Sequence, residues 1–221
     1  MSDRITARQF HEAIGVEDWR VVGDGACAYF RTGSFGAGAR LVGAIGELAG
    51  LEDHHPDLDV RAGGVTVRLI TITEDYYGLS QRHVHLAREI SAVAHELDIP
   101  ADASAVQSVQ VTIDVLVSRE VMPFWRAVLG YEYRGDSPDE DLIDPRGRGA
   151  PFWFQRMDAP RPQRNRVHID VWVPQDQGEA RVAAALAAGG HLVSDEHAPQ
   201  WWTLADAEGN EADVATLAGR D

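Results

Sequence analysis

Two short segments restrict the fold of the C-terminal half of this chain more than any other feature. Thr112-Ile113-Asp114-Val115 and His168-Ile169-Asp170-Val171 share one pattern. Each lies in a stretch that reads strand, helix, then further strands. The first stretch has a strand over Val109–Val117, the helical Met122–Leu129 closed by Gly130-Tyr131, and a later strand over Pro151–Arg156. The second has a strand over Arg166–Val173, a helix from about Gly178 to Ala188 closed by Gly189-Gly190, and strands at Trp201–Leu204 and Glu211–Thr216. Period-two alternation marks the strands and i, i+3, i+4 spacing marks the helices. Two copies of one supersecondary unit predict paired modules around one core.

The N-terminal part reads differently. A helix is expected from Thr6, with Phe10, Ala13 and Ile14 inward. Trp19–Val22 and Cys27–Arg31 read as strands joined by a tight turn at Gly23-Asp24-Gly25. Ser34 is a good N-cap for a helix reaching about Ala49, with Phe35, Leu41, Val42, Ile45 and Leu48 on its apolar face. A short strand at Leu58–Val60, a long strand over Val65–Thr73 and a helix opened by Gly78-Leu79-Ser80 complete the unit. The fold class is α+β, an antiparallel sheet with helices on one face. Residues 99–106, small and polar with one proline, read as a linker. The expected domains are therefore 1–98 and 107–221.

Between helix and strand stands Asp53-His54-His55-Pro56-Asp57. Two side chains that titrate near neutrality sit at one point of the backbone. Pro56 fixes its own φ and biases His55 toward extended backbone, so the pair is held at a defined corner. Such a corner suits proton transfer to and from a small molecule. A surface turn that happens to contain histidines is the plainer alternative.

Composition removes several function classes. The 221 residues fit one large or two small domains, and no apolar run approaches the ~20 residues that span a bilayer. Met1-Ser2-Asp3-Arg4 opens no signal-peptide pattern. With one cysteine, Cys27, an intrachain disulfide framework is excluded and the cytoplasm is the expected location. A net charge of −15 argues against nucleic acid and anionic membranes as partners. No phosphate-binding glycine loop, dinucleotide fingerprint or nucleophile elbow is present.

From about Phe10 to Leu97 the chain resembles the pterin-4a-carbinolamine dehydratase family. The resemblance rests on Trp19, Asp53-His54-His55-Pro56, Val65-Thr66-Val67-Arg68-Leu69, Gly78-Leu79-Ser80-Gln81-Arg82 and Leu86-Ala87. It implies a lyase that dehydrates a 4a-hydroxytetrahydropterin, or a related carbinolamine, to a quinonoid dihydropterin without a cofactor. His54 and His55 match the family's paired histidines. The family's third histidine is replaced by Glu74, its glutamate before the pair by Gly50, and an aspartate of the following helix by His83. Glu74 either takes over the missing histidine's work, or the site binds a pterin-like ring with altered chemistry. The catalytic candidates are His54, His55 and Glu74. Pro56, Asp57, Thr73 and Tyr77 are the candidate substrate contacts. His83 could move into the site from the helix start, but the solvated helix surface is the expectation. The family also implies a homo-oligomer.

Residues 107–217 resemble the glyoxalase-like, or vicinal-oxygen-chelate, superfamily. The carrying residues are Phe124-Trp125, Leu129-Gly130-Tyr131, Asn165 through Asp170, and Asp206-Ala207-Glu208-Gly209-Asn210. The resemblance implies paired βαβββ modules closing into a half-open barrel. Its metal-ligand positions fall on Thr112, Gln155, His168 and Asp213. His168 and Asp213 suit a divalent metal, Gln155 less so, and Thr112 poorly, a set short of the usual three good ligands. The expectation is no metal, with Gln155, His168, Trp202 and Asp213 lining a pocket. Two alternative functions follow: binding of a small aromatic ligand beside a silent first domain, or metal-dependent glyoxalase or dioxygenase chemistry.

Overall fold

A computed structural model describes residues 3–23, 25–48, 51, 54–160, 168–173, 175–216 and 218. Asp24, Ala49, Gly50, Asp53 and Asn165-Arg166-Val167 lie outside the described residues. The chain divides into two compact units, Met1–Val109 and Gln110–Asp221.

In the first unit, β1 (Arg4–Ile5) leads into α1 (Ala7–His11). Thr6 caps α1: its hydroxyl accepts the Gln9 N–H at 3.2 Å, and the Gln9 side chain accepts the Thr6 N–H at 2.8 Å. Phe10 is buried as expected, but Ile14 is 84% exposed. The helix ends at His11, so helical spacing no longer directs Ile14. β2 (Arg20–Val22) pairs antiparallel with β3 (Gly25–Arg31). Gly25 has φ +118°, and a Cβ there would lie 2.6 Å from the Leu69 carbonyl oxygen, so the close strand approach requires glycine.

Ser34 caps α2 (Phe35–Gly46) by accepting the Ala37 N–H at 3.2 Å. Leu41 and Ile45 are buried, whereas Phe35 is 63% exposed. It is the first helical residue, and helical side chains lean toward the N-terminus, so its ring clears the end of the packed face. β4 (Asp57–Val60) and β5 (Gly64–Leu69) complete an antiparallel sheet of order β2-β3-β5-β4. Ala26, Ala28 and Phe30 of β3 and Val65, Val67 and Leu69 of β5 share its apolar face. They pack in one core with Phe10, Trp19, Leu41, Ile45 and Ile90 from the helical side.

The expected long strand breaks after Leu69. Thr71–Thr73 is β6, which turns through Glu74-Asp75 into β7 (Tyr76–Ser80). With β1 they form a separate sheet of order β1-β7-β6. Gly78-Leu79-Ser80 therefore ends a strand, and α3 (Gln81–Glu96) begins after it with Ser80 as N-cap. Residues 99–102, expected within a linker, pack on this unit. The Pro100 carbonyl accepts the Arg31 N–H at 2.8 Å, Ala101 bridges Phe30, and the Asp102 N–H reaches the Tyr29 carbonyl at 2.7 Å. The Asp102 carboxylate pairs with the Arg31 guanidinium.

The second unit is two βαβββ modules. The first holds β8 (Val111–Val115), α4 (Ser118–Leu129), β9 (Glu132–Tyr133), β10 (Asp141–Ile143) and β11 (Phe152–Arg156). The second holds β12 (Ile169–Trp172), α5 (Gly178–Ala187), β13 (His191–Ser194), β14 (Trp201–Ala205) and β15 (Glu211–Ala215). The sheet orders are β8-β11-β10-β9 and β12-β15-β14-β13. In each, the first strand runs parallel to the last and the other pairs are antiparallel. The register repeats too: Asp114 stands opposite Gln155, and Asp170 opposite Asp213. Phe124, Trp125, Phe152 and Phe154 of one module share a core with Ala185, Leu204, Ala212 and Val214 of the other. Asp206, fully buried, accepts the Trp125 indole N–H at 2.9 Å, and the Glu208 carboxylate accepts the N–H groups of Leu116 and Val117. No helix among the described residues is long and apolar enough to cross a membrane.

Candidate active sites

The first site forms where the corner before β4 meets the first turn of α3. His54 is half-buried, and its ring centroid lies 5.9 Å from that of His83. The Arg82 Nη1 stands 3.4 Å from His54 Nδ1, and Asp3 faces Arg82 at 3.9 Å. His55 is exposed and Pro56 half-buried beside it.

His83 is the unexpected member. It is 2% exposed, not a solvated surface residue. It occupies the third position of α3, and its Nδ1 accepts the Ser80 N–H at 2.9 Å. This is the capping-box position, where an acceptor side chain satisfies the free N–H of the N-cap residue. The ring proton therefore sits on Nε2, 3.5 Å from Thr71 Oγ1. Burial and, second, the nearby His54 push the His83 pKa down to about 4. The ring stays neutral, in keeping with its place at the positive end of a helix. The spacing Ser80-Gln81-Arg82-His83 carried this signal, hidden by starting the helix at Gly78.

The other expected residues are more dispersed. Glu74 lies in the exposed β6–β7 turn, and no hydrogen bond or ion pair joins it to His54 or His55. Its turn neighbour Asp75 accepts from Thr73 Oγ1 at 3.0 Å and pairs with Arg4. Asp57 is held by Arg68, its cross-strand partner, at 2.6 Å. Strand alternation puts Thr71 and Thr73 on the face of the small sheet that also carries Tyr76, with Tyr77 on the opposite face. The expected contact Tyr77 thus points away from His83. The Tyr76 ring, on the His83 side, lies under the Arg4 guanidinium.

In the second unit, ligand atoms of His168, Asp170 and Asp213 lie within 4.8 Å of one another. His168 Nε2 is 3.2 Å from Asp170 Oδ1 and 3.8 Å from Asp213 Oδ2. Asp170 was not among the expected ligands, although alternation on β12 puts it two residues from His168 on the same face. Asp213 Oδ1 is buried with no hydrogen-bond partner among the described residues. Gln155 holds the equivalent register position in the first module and is exposed. Trp202 does not share this face. It pairs with Val214, packs with the helix-side core, and approaches Gly178 at the start of α5. Trp201 and Thr203 lie on the Asp213 side, and Trp201 stacks on His197 at 4.1 Å.

Comparison with known proteins agrees with this division. Residues 3–93 match the family model for pterin 4 alpha carbinolamine dehydratase, and residues 110–215 match that for a glyoxalase-like domain. A protein of Mycobacterium leprae (strain Br4923), named as a pterin-4-alpha-carbinolamine dehydratase, is 32% identical over 77 residues, 35% of this chain and 80% of that one. A namesake from Nocardia farcinica (strain IFM 10152) is 38% identical over 77 residues, 35% of this chain and 79% of that one. Among solved structures, the fosfomycin resistance protein FosX from Listeria monocytogenes, with Mn(II) and sulfate, is 13% identical. It covers 50% of this chain and 89% of its own, with a TM-score of 0.40. Through its first unit the chain belongs to the pterin-4-alpha-carbinolamine dehydratase family, and its second unit is a glyoxalase-like domain.

Proposed function

We propose that the first unit is a hydro-lyase that converts a 4a-hydroxytetrahydropterin, or a closely related carbinolamine, to the quinonoid dihydropterin. The observation that supports this most is the histidine corner itself. His54 is set by its contacts with Arg82 and His83, and His55 stands next to it, open to a substrate. The reaction breaks the bond from carbon 4a to the hydroxyl oxygen. One histidine gives a proton to the departing hydroxyl, which leaves as water. The lone pair of the adjacent ring nitrogen forms the new C=N bond, and the second histidine takes that nitrogen's proton. Nothing is oxidised or reduced, so the step needs no cofactor. An imidazole can give or take a proton, which suits both transfers. Pro56 and Thr73 are read as substrate contacts at the rim.

Stopped-flow absorbance of the quinonoid product tests this reading. Wild type should exceed the spontaneous rate, and His54→Ala and His55→Ala should each lose about 10²–10³-fold. A wild-type protein with no acceleration would refute it.

A second reading belongs to the second unit. An unpartnered buried carboxylate oxygen is costly unless something meets it, and among the described residues Asp213 Oδ1 is such an atom beside His168 and Asp170. One imidazole and two carboxylates suit a divalent ion such as Mn²⁺ or Zn²⁺. Bound there, the ion would act as a Lewis acid toward a substrate oxygen. His168, Asp170 and Asp213 would hold it. Calorimetric titration with Mn²⁺ and Zn²⁺ should show one site per chain, lost in Asp213→Asn. No binding by wild type would remove the reading.

A further inference from the structure

We propose that His83 is the positioning residue for His54, so that the third histidine of this site comes from the first turn of α3 and not from the strand end that carries Glu74. The inference rests on the dehydratase reading above. His83 is too deeply buried to meet a substrate, so it must act through its neighbour. Its ring is engaged at both nitrogens, by the Ser80 N–H and by Thr71 Oγ1. A ring so engaged resists rotation, and it stands 5.9 Å from the ring of His54.

The charged and titratable groups around the pair are few. Among the described residues, α3 contributes Arg82 and the N-terminal segment contributes Asp3, which faces Arg82. β6 and the cap contribute only the hydroxyls of Thr71 and Ser80. Because burial keeps His83 uncharged down to acidic pH, His54 has a fixed and neutral wall at its back. A carboxylate at position 83 would favour the His54 imidazolium. A neutral imidazole leaves His54 free to take and return a proton.

The full chain as wild type, His83→Asn and His83→Asp decides the matter. Both replacements retain an acceptor for the Ser80 N–H, and circular-dichroism melting shows whether each folds. The readouts are the His54 ring titration by NMR and the pH profile of dehydration on the same samples. His83→Asp should raise the His54 midpoint by about one pH unit and carry the acid limb of the rate profile with it. His83→Asn should leave that midpoint in place but lower kcat about tenfold with KM within about twofold, because a mispositioned group costs rate more than binding. If His83→Asp does not fold, the kcat-against-KM split in His83→Asn carries the test. An unchanged His54 midpoint and unchanged kcat in the folded variants would overturn the proposal. A His54 shift in a protein that dehydrates nothing would support the ring pairing and refute the dehydratase reading alone.

Discussion

The two candidate sites are built by opposite means. At the first, burial at a helix end keeps the His83 ring neutral. His83 is 2% exposed, and both its nitrogens have neighbours. At the second, strand register alone brings the groups together. The His168 side chain is 53% exposed, and Asp170 faces Asp213 because β12 and β15 run parallel in that register. A site made by burial controls charge. A site made by register controls spacing and leaves charge to whatever ion or solvent meets it. The first module of the second unit makes the point again, with the same register holding Asp114 and Gln155 and gathering no such cluster among the described residues.

The largest expected test of this contrast is pH. The His83 pKa falls from 6.5 to about 4 in the folded protein, so the unfolded chain binds this proton first as pH drops. The stabilisation is complete above pH ~6.5 and is lost as pH falls toward ~4, by roughly 3 kcal/mol. Urea midpoints at the two ends of that range, compared with His83→Asn, read it directly. An identical pH response in both proteins would sink the assignment. Next in size is a pair of tryptophans. Trp202→Ala should cost about 2 kcal/mol, because the ring packs on the core, and Trp201→Ala less than about 1 kcal/mol. Equal losses in urea denaturation would contradict the facing derived from the register. The smallest is Glu74→Gln. It should leave the dehydration rate within about twofold, where loss of a proton-transfer group costs at least a hundredfold.

Much of this was legible in the residues, and the failures have physical causes. Ser34 caps its helix as expected, and the helix expected from Thr6 starts beside it, because a cap is a local bond. The duplicated modules were legible because pattern and register repeat together. The break at Ile70 was not, because Val65–Thr73 is β-prone throughout and only pairing with a different sheet divides it. Alternation alone puts Trp201 and Trp202 on opposite faces, but which one meets the core depends on the partner strand, so Trp202 was placed in the pocket when it packs on the core. For His83 the solvated position was the wrong choice of two, because its burial rests on where the strand before it ends. Asp170 was missed because the resemblance gives one ligand position to each first and last strand, and His168 already held that of its own segment.

The way β3 ends has a consequence for cutting the chain. β2 covers β3 only as far as Cys27, and the remaining residues to Arg31 are met on that side by Pro100, Ala101 and Asp102. A fragment stopped at residue 98 would strip the tip of a central strand of its last partners and leave the Arg31 N–H unanswered. It would present a bare sheet edge to any neighbouring chain. The shortest fragment that keeps the first unit whole must therefore run past its last helix, through Asp102.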